Sequence, residues 1–219
     1  MTQTEKLHLL HQLYQYRALG FDYIKYERKL APPKVVSDDS LHALEKTLAS
    51  CQLCGLAKCR KKVVFGEGNP NATLMFIGEG PGASEDEAGC PFVGRAGQLL
   101  TKIIENVLHV SRNDVYIANI VKCRPPKNRV PLPEEVDACK PFLLQQIAQI
   151  NPRIIVALGS TSYHHLTGEF DSKITQVRGQ VMAFGDAKLV PTYHPSFLLR
   201  NPSAKKEVYL DMLKVKSLL

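Results

Sequence analysis

No apolar run in the 219-residue chain reaches the roughly 18–20 residues that a membrane-spanning helix needs. The opening residues Met1-Thr2-Gln3-Thr4-Glu5-Lys6 lack the basic segment and long apolar stretch of a signal peptide. The expectation is a cytoplasmic protein with no membrane partner. Internal repeats and low-complexity segments are missing, and the composition is not that of a disordered or collagen-like chain. The glycine-rich stretches contain neither Gly-Lys-Ser/Thr nor G-x-G-x-x-G, so they are not a P-loop or a dinucleotide fingerprint.

Hydrophobic residues make up 44% of the chain and charged residues 22%, as in one ordinary domain with a short appendage. Two counts are less ordinary. The net charge is +7, and there are six cysteines in a chain expected to stay where disulfides rarely persist. The basic excess is local: Lys58, Arg60, Lys61 and Lys62 form one run, and Lys122, Arg124, Lys127 and Arg129 another. Without these eight the net charge is −1. A solvated face explains either run alone, but their shared association with cysteines favours a polyanion-binding surface.

Leu7, Leu10, Leu13, Tyr14 and Leu19 have near-helical spacing, so residues 1–36 read as an N-terminal helical extension with Pro32-Pro33 as its linker. Residues 37–219 then form the main domain. Its apolar runs 74–77, 115–121, 153–158 and 189–193 read as buried strands, separated by helices near 94–107 and 133–150 and closed by one at 204–218. This pattern predicts an α/β fold, a three-layer α/β/α sandwich around a central four-stranded parallel sheet. Ligand sites in such sheets lie beyond the carboxyl ends of the strands. Here those ends are Gly78-Glu79-Gly80-Pro81-Gly82, Asn119 to Cys123, Gly159-Ser160 and His194-Pro195-Ser196.

Cys51 and Cys54 form C-x2-C, and with Cys123 and Cys139 could make a four-sulfur site for zinc or an iron–sulfur cluster. Spacing alone does not exclude Cys59, and Cys90 is a further candidate. The glycine-rich turn after residue 77 is either a tight structural turn or a ligand cradle. Glu79 and Glu85 flank it, and Phe92 could stack on a planar ring. Asn119 is either a strand-end turn residue or a reader of a uracil edge, since an amide both donates and accepts. His194 is structural or catalytic, and Ser196 could contact a phosphate or ribose. Phe197-Leu198-Leu199-Arg200 would suit a wedge entering a base stack beside a cation, or else core packing.

Taken in order, Gly78-Glu79-Gly80-Pro81-Gly82, Pro91-Phe92-Val93-Gly94-Arg95-Ala96-Gly97, Val121-Lys122-Cys123-Arg124-Pro125-Pro126, Val156-Ala157-Leu158-Gly159 and His194-Pro195-Ser196 resemble the family 4, iron–sulfur uracil-DNA glycosylases of bacteria and archaea. The resemblance spans about residues 48–217. It implies one structural four-iron four-sulfur cluster on Cys51, Cys54, Cys123 and Cys139, with Cys59 and Cys90 outside it. It also implies a uracil pocket made by Glu79, Gly80, Phe92, Asn119 and His194. On this expectation Phe92 stacks on the base, Asn119 reads its edge and His194 stabilises charge on O2. Leu198 fills the vacated stack. Gly80 stands where other glycosylase families have an Asp. That leaves Glu79 or Glu85 to position water, or no base at all, and Glu85 could instead exclude thymine at the C5 edge. Gln176-Val177-Arg178-Gly179-Gln180 contains no His, so the covalent trapping of one related subgroup is not expected. The implied enzyme is a monofunctional glycosylase in base excision repair, a monomer acting on uracil in single- or double-stranded DNA. The N-terminal helix is a possible docking arm for a protein partner. The alternatives are a cluster-stabilised DNA-binding or polymerase accessory module without base release, and a zinc domain on the same cysteines.

Overall fold

The computed structural model describes residues 40–219. The expected N-terminal extension and its partner lie outside the described residues. Helix α1 (Ser40–Ala49) leads to a 3-10 turn at Gly55–Lys58 and a two-residue strand β1 (Glu67–Gly68). The body then alternates: β2 (Leu74–Gly78), α2 (Ala83–Ala88), α3 (Arg95–Ile103), β3 (Tyr116–Asn119), α4 (Pro133–Ile150), β4 (Ile154–Leu158) and α5 (Ser160–Thr167). It closes with α6 (Ile174–Val177), β5 (Met182–Phe184), β6 (Ala187–Thr192), α7 (Pro195–Arg200) and α8 (Lys205–Leu218).

The sheet has six strands in the order β1-β3-β2-β4-β6-β5. The four inner strands β3, β2, β4 and β6 are parallel, as expected, and the edge strands β1 and β5 pair antiparallel to them. The four-stranded expectation thus gives the parallel centre but omits both edges. These have only two and three residues, none fully buried: β1 is Glu67-Gly68, and the apolar Met182-Ala183-Phe184 of β5 is too short to read as a strand from sequence.

Both faces of the parallel centre are covered because its middle strands are apolar on both sides: β2 and β4 are buried throughout. On one face Met75, Ile77, Ala118, Ile155 and Leu189 pack against Val136 and Leu143 of α4 and Tyr163 and Leu166 of α5. On the other, Phe76, Ile117, Val156 and Val190 meet Leu100 of α3, Leu198 of α7 and Val208, Met212 and Val215 of α8. The chain places β3 on one side of β2 and then β4 on the other. That reversal opens a crevice beyond the carboxyl ends of these strands, where an open α/β sheet takes its ligand.

Candidate active site

Beyond the ends of β2, β3, β4 and β6 lies a cavity of about 610 Å³, lined by Glu79, Gly80, Glu85, Phe92, Asn119, Gly159, His194 and Ser196 among others. The loops after β2 and β3 stay in register past the strands, because Ile120 N–H donates to Gly78 O at 2.9 Å and Val121 N–H to Glu79 O at 3.1 Å. This fixes the backbone of Glu79 and the floor beside it.

Gly78 ends β2 where two site residues press on it. A β-carbon there would stand 2.5 Å from Asn119 Oδ1 and 2.5 Å from Phe92 Cζ, so only glycine lets both side chains enter. Asn119 is 2% exposed, and its Oδ1 has no hydrogen-bond partner. An unmet buried acceptor costs about 1–3 kcal/mol, so a ligand donor is the natural complement. Phe92 has φ 51°, unusual for a residue with a side chain. Gly97 lies against this turn, and a β-carbon there would stand 1.8 Å from Phe92 O. Helix α3 thus packs directly on the turn that aims the phenyl ring at the cavity. That ring lies 5.7 Å from the imidazole of His194, centroid to centroid, and tilted by 36°.

His194 caps α7. Its Nδ1 accepts from Ser196 N–H at 3.1 Å and lies 2.8 Å from Ser196 Oγ. A backbone N–H can only donate, so Nδ1 is unprotonated and the ring proton sits on Nε2. Burial, with Arg200 adding to it and Glu85 opposing, pulls the His194 pKa down to about 4. The ring is therefore neutral near pH 7 and retains one donor, Nε2–H. Ser196 supports His194 through these contacts, whereas the sequence suggests a sugar or phosphate contact.

Two further expectations change. Leu198 is only 1% exposed and packs in the core with α8, so it is not the exposed wedge; Leu199, 38% exposed, is the leucine facing outward. Glu85 lines the cavity, but its Oε1 accepts from Val93 N–H at 3.0 Å and Gly94 N–H at 2.8 Å, and its Oε2 from Gly82 N–H at 3.1 Å. It clamps the 78–82 loop to the 91–94 loop and is not a free base. Glu79 accepts a 2.5 Å hydrogen bond at Oε2 from Thr161 Oγ1 of α5, a partner that no motif announces. Gly80 also lines the cavity, as expected, with Val121 Cγ2 only 2.7 Å from where a β-carbon would stand.

These observations make a cavity for a flat polar ring: an aromatic wall, an unpaired buried amide, a neutral histidine donor and a carboxylate. The family model described as "Uracil DNA glycosylase superfamily" matches residues 65–214. The chain is 46% identical over 183 residues to the Type-4 uracil-DNA glycosylase of Thermotoga maritima, covering 82% of this chain and 95% of that protein. It is 47% identical over 188 residues to the Type-4 uracil-DNA glycosylase of Saccharolobus solfataricus, covering 83% and 87%. This chain belongs to the Type-4 uracil-DNA glycosylase family. Every cavity residue described above falls inside the family match.

Three of the four cysteines lie in loops beside elements, and the fourth lies within a helix. Cys51 follows α1, Cys54 precedes the 3-10 turn, Cys123 follows β3 and Cys139 is in α4. Among the described residues no group of three or more Cys, His, Asp and Glu side chains is gathered closely enough to hold a metal as it stands. The donor set nevertheless fits a four-thiolate site. Burial pushes the Cys123 thiol up, with Arg60 opposing and Cys54 and Cys51 adding to the rise. Burial pushes Cys139 up to about 11, with Lys122 opposing and Cys123 and Cys54 adding. Cys123 thus feels Cys51 and Cys54, and Cys139 feels Cys54 and Cys123. Two donors already aim at them: Arg60 Nη1 to Cys123 Sγ at 3.4 Å and Lys122 N–H to Cys139 Sγ at 3.3 Å. Cys59 is exposed, and the charge it meets is that of Arg129.

Proposed function

We propose that the chain excises uracil from DNA as a monofunctional hydrolase, leaving an abasic site. The unpaired, buried Oδ1 of Asn119 is the observation that carries this reading. Uracil offers N3–H to that acceptor and O4 to the amide's N–H, whereas cytosine presents the opposite pattern and leaves the buried amide unpaired. The base is unreachable inside a duplex and must be flipped out, at a cost of a few kcal/mol. Phe92 stacks on it, and Leu199 beside Arg200 is the side chain placed to enter the vacated stack.

As the C1′–N1 bond breaks, its electron pair moves into the uracil ring, largely onto O2. The Nε2–H of the neutral His194 donates to that oxygen, most strongly in the transition state, which is what lowers a barrier. Water then adds its oxygen to the cationic C1′ and gives up a proton. With Glu85 committed to backbone amides, Glu79 is the carboxylate placed to accept that proton and to face the positive sugar. Cys51, Cys54, Cys123 and Cys139 would hold a four-iron four-sulfur cluster. Its contribution is structural, tying residues 51–62 and 122–139 to the body. The protein acts as a monomer on single- or double-stranded DNA.

The test is base release from a single-stranded oligonucleotide with one uracil, followed by alkaline cleavage of the abasic product. Cleavage with wild-type protein and its loss in His194→Ala, with DNA binding retained, is the expected result. Binding without release by the wild type would favour an accessory DNA-binding module and overturn the proposal.

A further inference from the structure

The cavity contains two carboxylates, and Glu85 is held by three backbone N–H groups. Glu79 is left to meet the reacting sugar. Its backbone is fixed by Val121 N–H on its carbonyl, so the remaining freedom is in the side chain. Among the described residues its side chain has one hydrogen-bond partner, Thr161, at 2.5 Å. The two belong to different elements 82 residues apart in sequence, one after β2 and one in the first turn of α5. The contact is therefore a product of the sheet and not a local turn.

The start of α5 is built to reach that point. Gly159, at φ +90°, bends the chain sharply off β4, and its N–H donates to Thr192 O at 2.8 Å. The next hydroxyl, Ser162, turns back onto Leu158 O at 2.6 Å and Gly159 O at 3.1 Å. Ser160 lines the cavity, and the Thr161 hydroxyl between them is the one bonded to Glu79.

We propose that Thr161 is the positioning residue for Glu79, an inference that rests on the uracil-excision reading. Its hydroxyl donates to Oε2, which fixes the carboxylate and leaves Oε1 for the attacking water. In the step it supports, the C1′–N1 bond breaks with its electrons going to uracil. A C1′–O bond forms to water, and the water proton passes to Oε1.

The test compares Thr161→Val, which keeps the shape but not the donor, with Thr161→Ser, which keeps the donor. Both are made in wild-type and Glu79→Gln backgrounds. Single-turnover base release at saturating enzyme and DNA affinity are measured for each variant, and a crystal structure of Thr161→Val locates the Glu79 carboxylate. Thr161→Val should slow release about tenfold with DNA affinity unchanged within about twofold, and the carboxylate should be displaced. Thr161→Ser should restore most of the rate. In Glu79→Gln, Thr161→Val should have no further effect, as expected when one residue acts through the other. A Thr161→Val effect that multiplies with Glu79→Gln, or a Glu79 carboxylate that keeps its place without the hydroxyl, would assign Thr161 to helix packing and overturn the inference. If wild-type protein releases no uracil, the reading beneath it fails instead, and the Thr161→Val crystal structure still reports on the contact.

Discussion

His194 offers the sharpest quantitative test, because the structure fixes both its tautomer and its charge. An unfolded histidine titrates near 6.5, and burial takes the folded ring to about 4. At pH 7 only about one molecule in a thousand then carries an imidazolium, so a mechanism requiring the cation would forfeit about 4 kcal/mol. The neutral donor forfeits nothing. Base release under single-turnover conditions should thus show no inflection attributable to His194 between pH 5.5 and 8. The Cε1 proton and carbon signals of His194, assigned by comparison with His194→Gln, should titrate near 4. The same shift has a stability consequence whose sign is fixed. The folded pKa is lower than the unfolded one, so the unfolded state binds the proton first as pH falls. Stability from this group is complete above about 6.5 and is lost toward about 4, to a total of about 3 kcal/mol. An NMR titration centred near 6.5, or a rate that climbs as the imidazolium forms, would refute the neutral-donor assignment.

Asn119→Leu should abolish base release while leaving the melting temperature unchanged or higher, because it removes an unpaired buried acceptor without opening a cavity; calorimetry showing a large drop would mean the amide has a structural partner. Glu85→Gln should destabilise the fold by about 2–4 kcal/mol in urea denaturation, since an amide cannot accept all three backbone N–H bonds, two of which share Oε1; a loss of rate at unchanged stability would restore Glu85 as a base. Gly78→Ala should lower uracil affinity sharply, its methyl group displacing Asn119 and Phe92, and a crystal structure should show the phenyl ring moved. Cys139→Ser should remove absorbance near 400 nm from protein purified without oxygen and lower its thermal stability; a colourless wild type with one equivalent of zinc would favour the zinc site.

The parallel centre of the sheet was legible because its strands are buried on both faces and read as unbroken apolar runs. The strand ends followed from it, and with them Gly78, Asn119, Gly159 and His194. Other features depend on information that residue types do not carry. Leu198 and Leu199 are adjacent and alike; only the start of α7 at the His194 cap decides which one faces α8. Glu85 could have been read as a helix-start acceptor from its place three residues after Gly82, but its hold on Val93 and Gly94 needs the two loops side by side. Thr161 was invisible for the same reason: its partner is 82 residues away.

Each of the two basic runs contains both paired and unpaired cations. Arg60 donates to Cys123, and Lys122 is wholly buried with its ammonium on Gln146 Oε1 at 2.5 Å. Lys61 pairs with Glu87, and Arg129 pairs with Glu135 at 2.6 Å. These cations serve the cysteine loops and their neighbours, and a paired charge contributes little field at a distance. Lys58 and Lys127 have no side-chain partner among the described residues, and Arg124 holds only the neutral Asn128 at 2.8 Å. Lys127 and Arg124 belong to the loop that supplies Pro125, Asn128 and Arg129 to the cavity wall, and Arg200 stands on the wall contributed by α7. Of the two runs, Arg124 and Lys127 are therefore the cations left without an acidic partner beside the crevice where a flipped nucleotide would enter. Arg60, on Cys123 Sγ, stands where it would offset the charge of thiolates once the cysteines hold a metal. On the uracil-excision reading, the net charge of +7 overstates the electrostatic grip on DNA, because several of these cations are already paired within the protein.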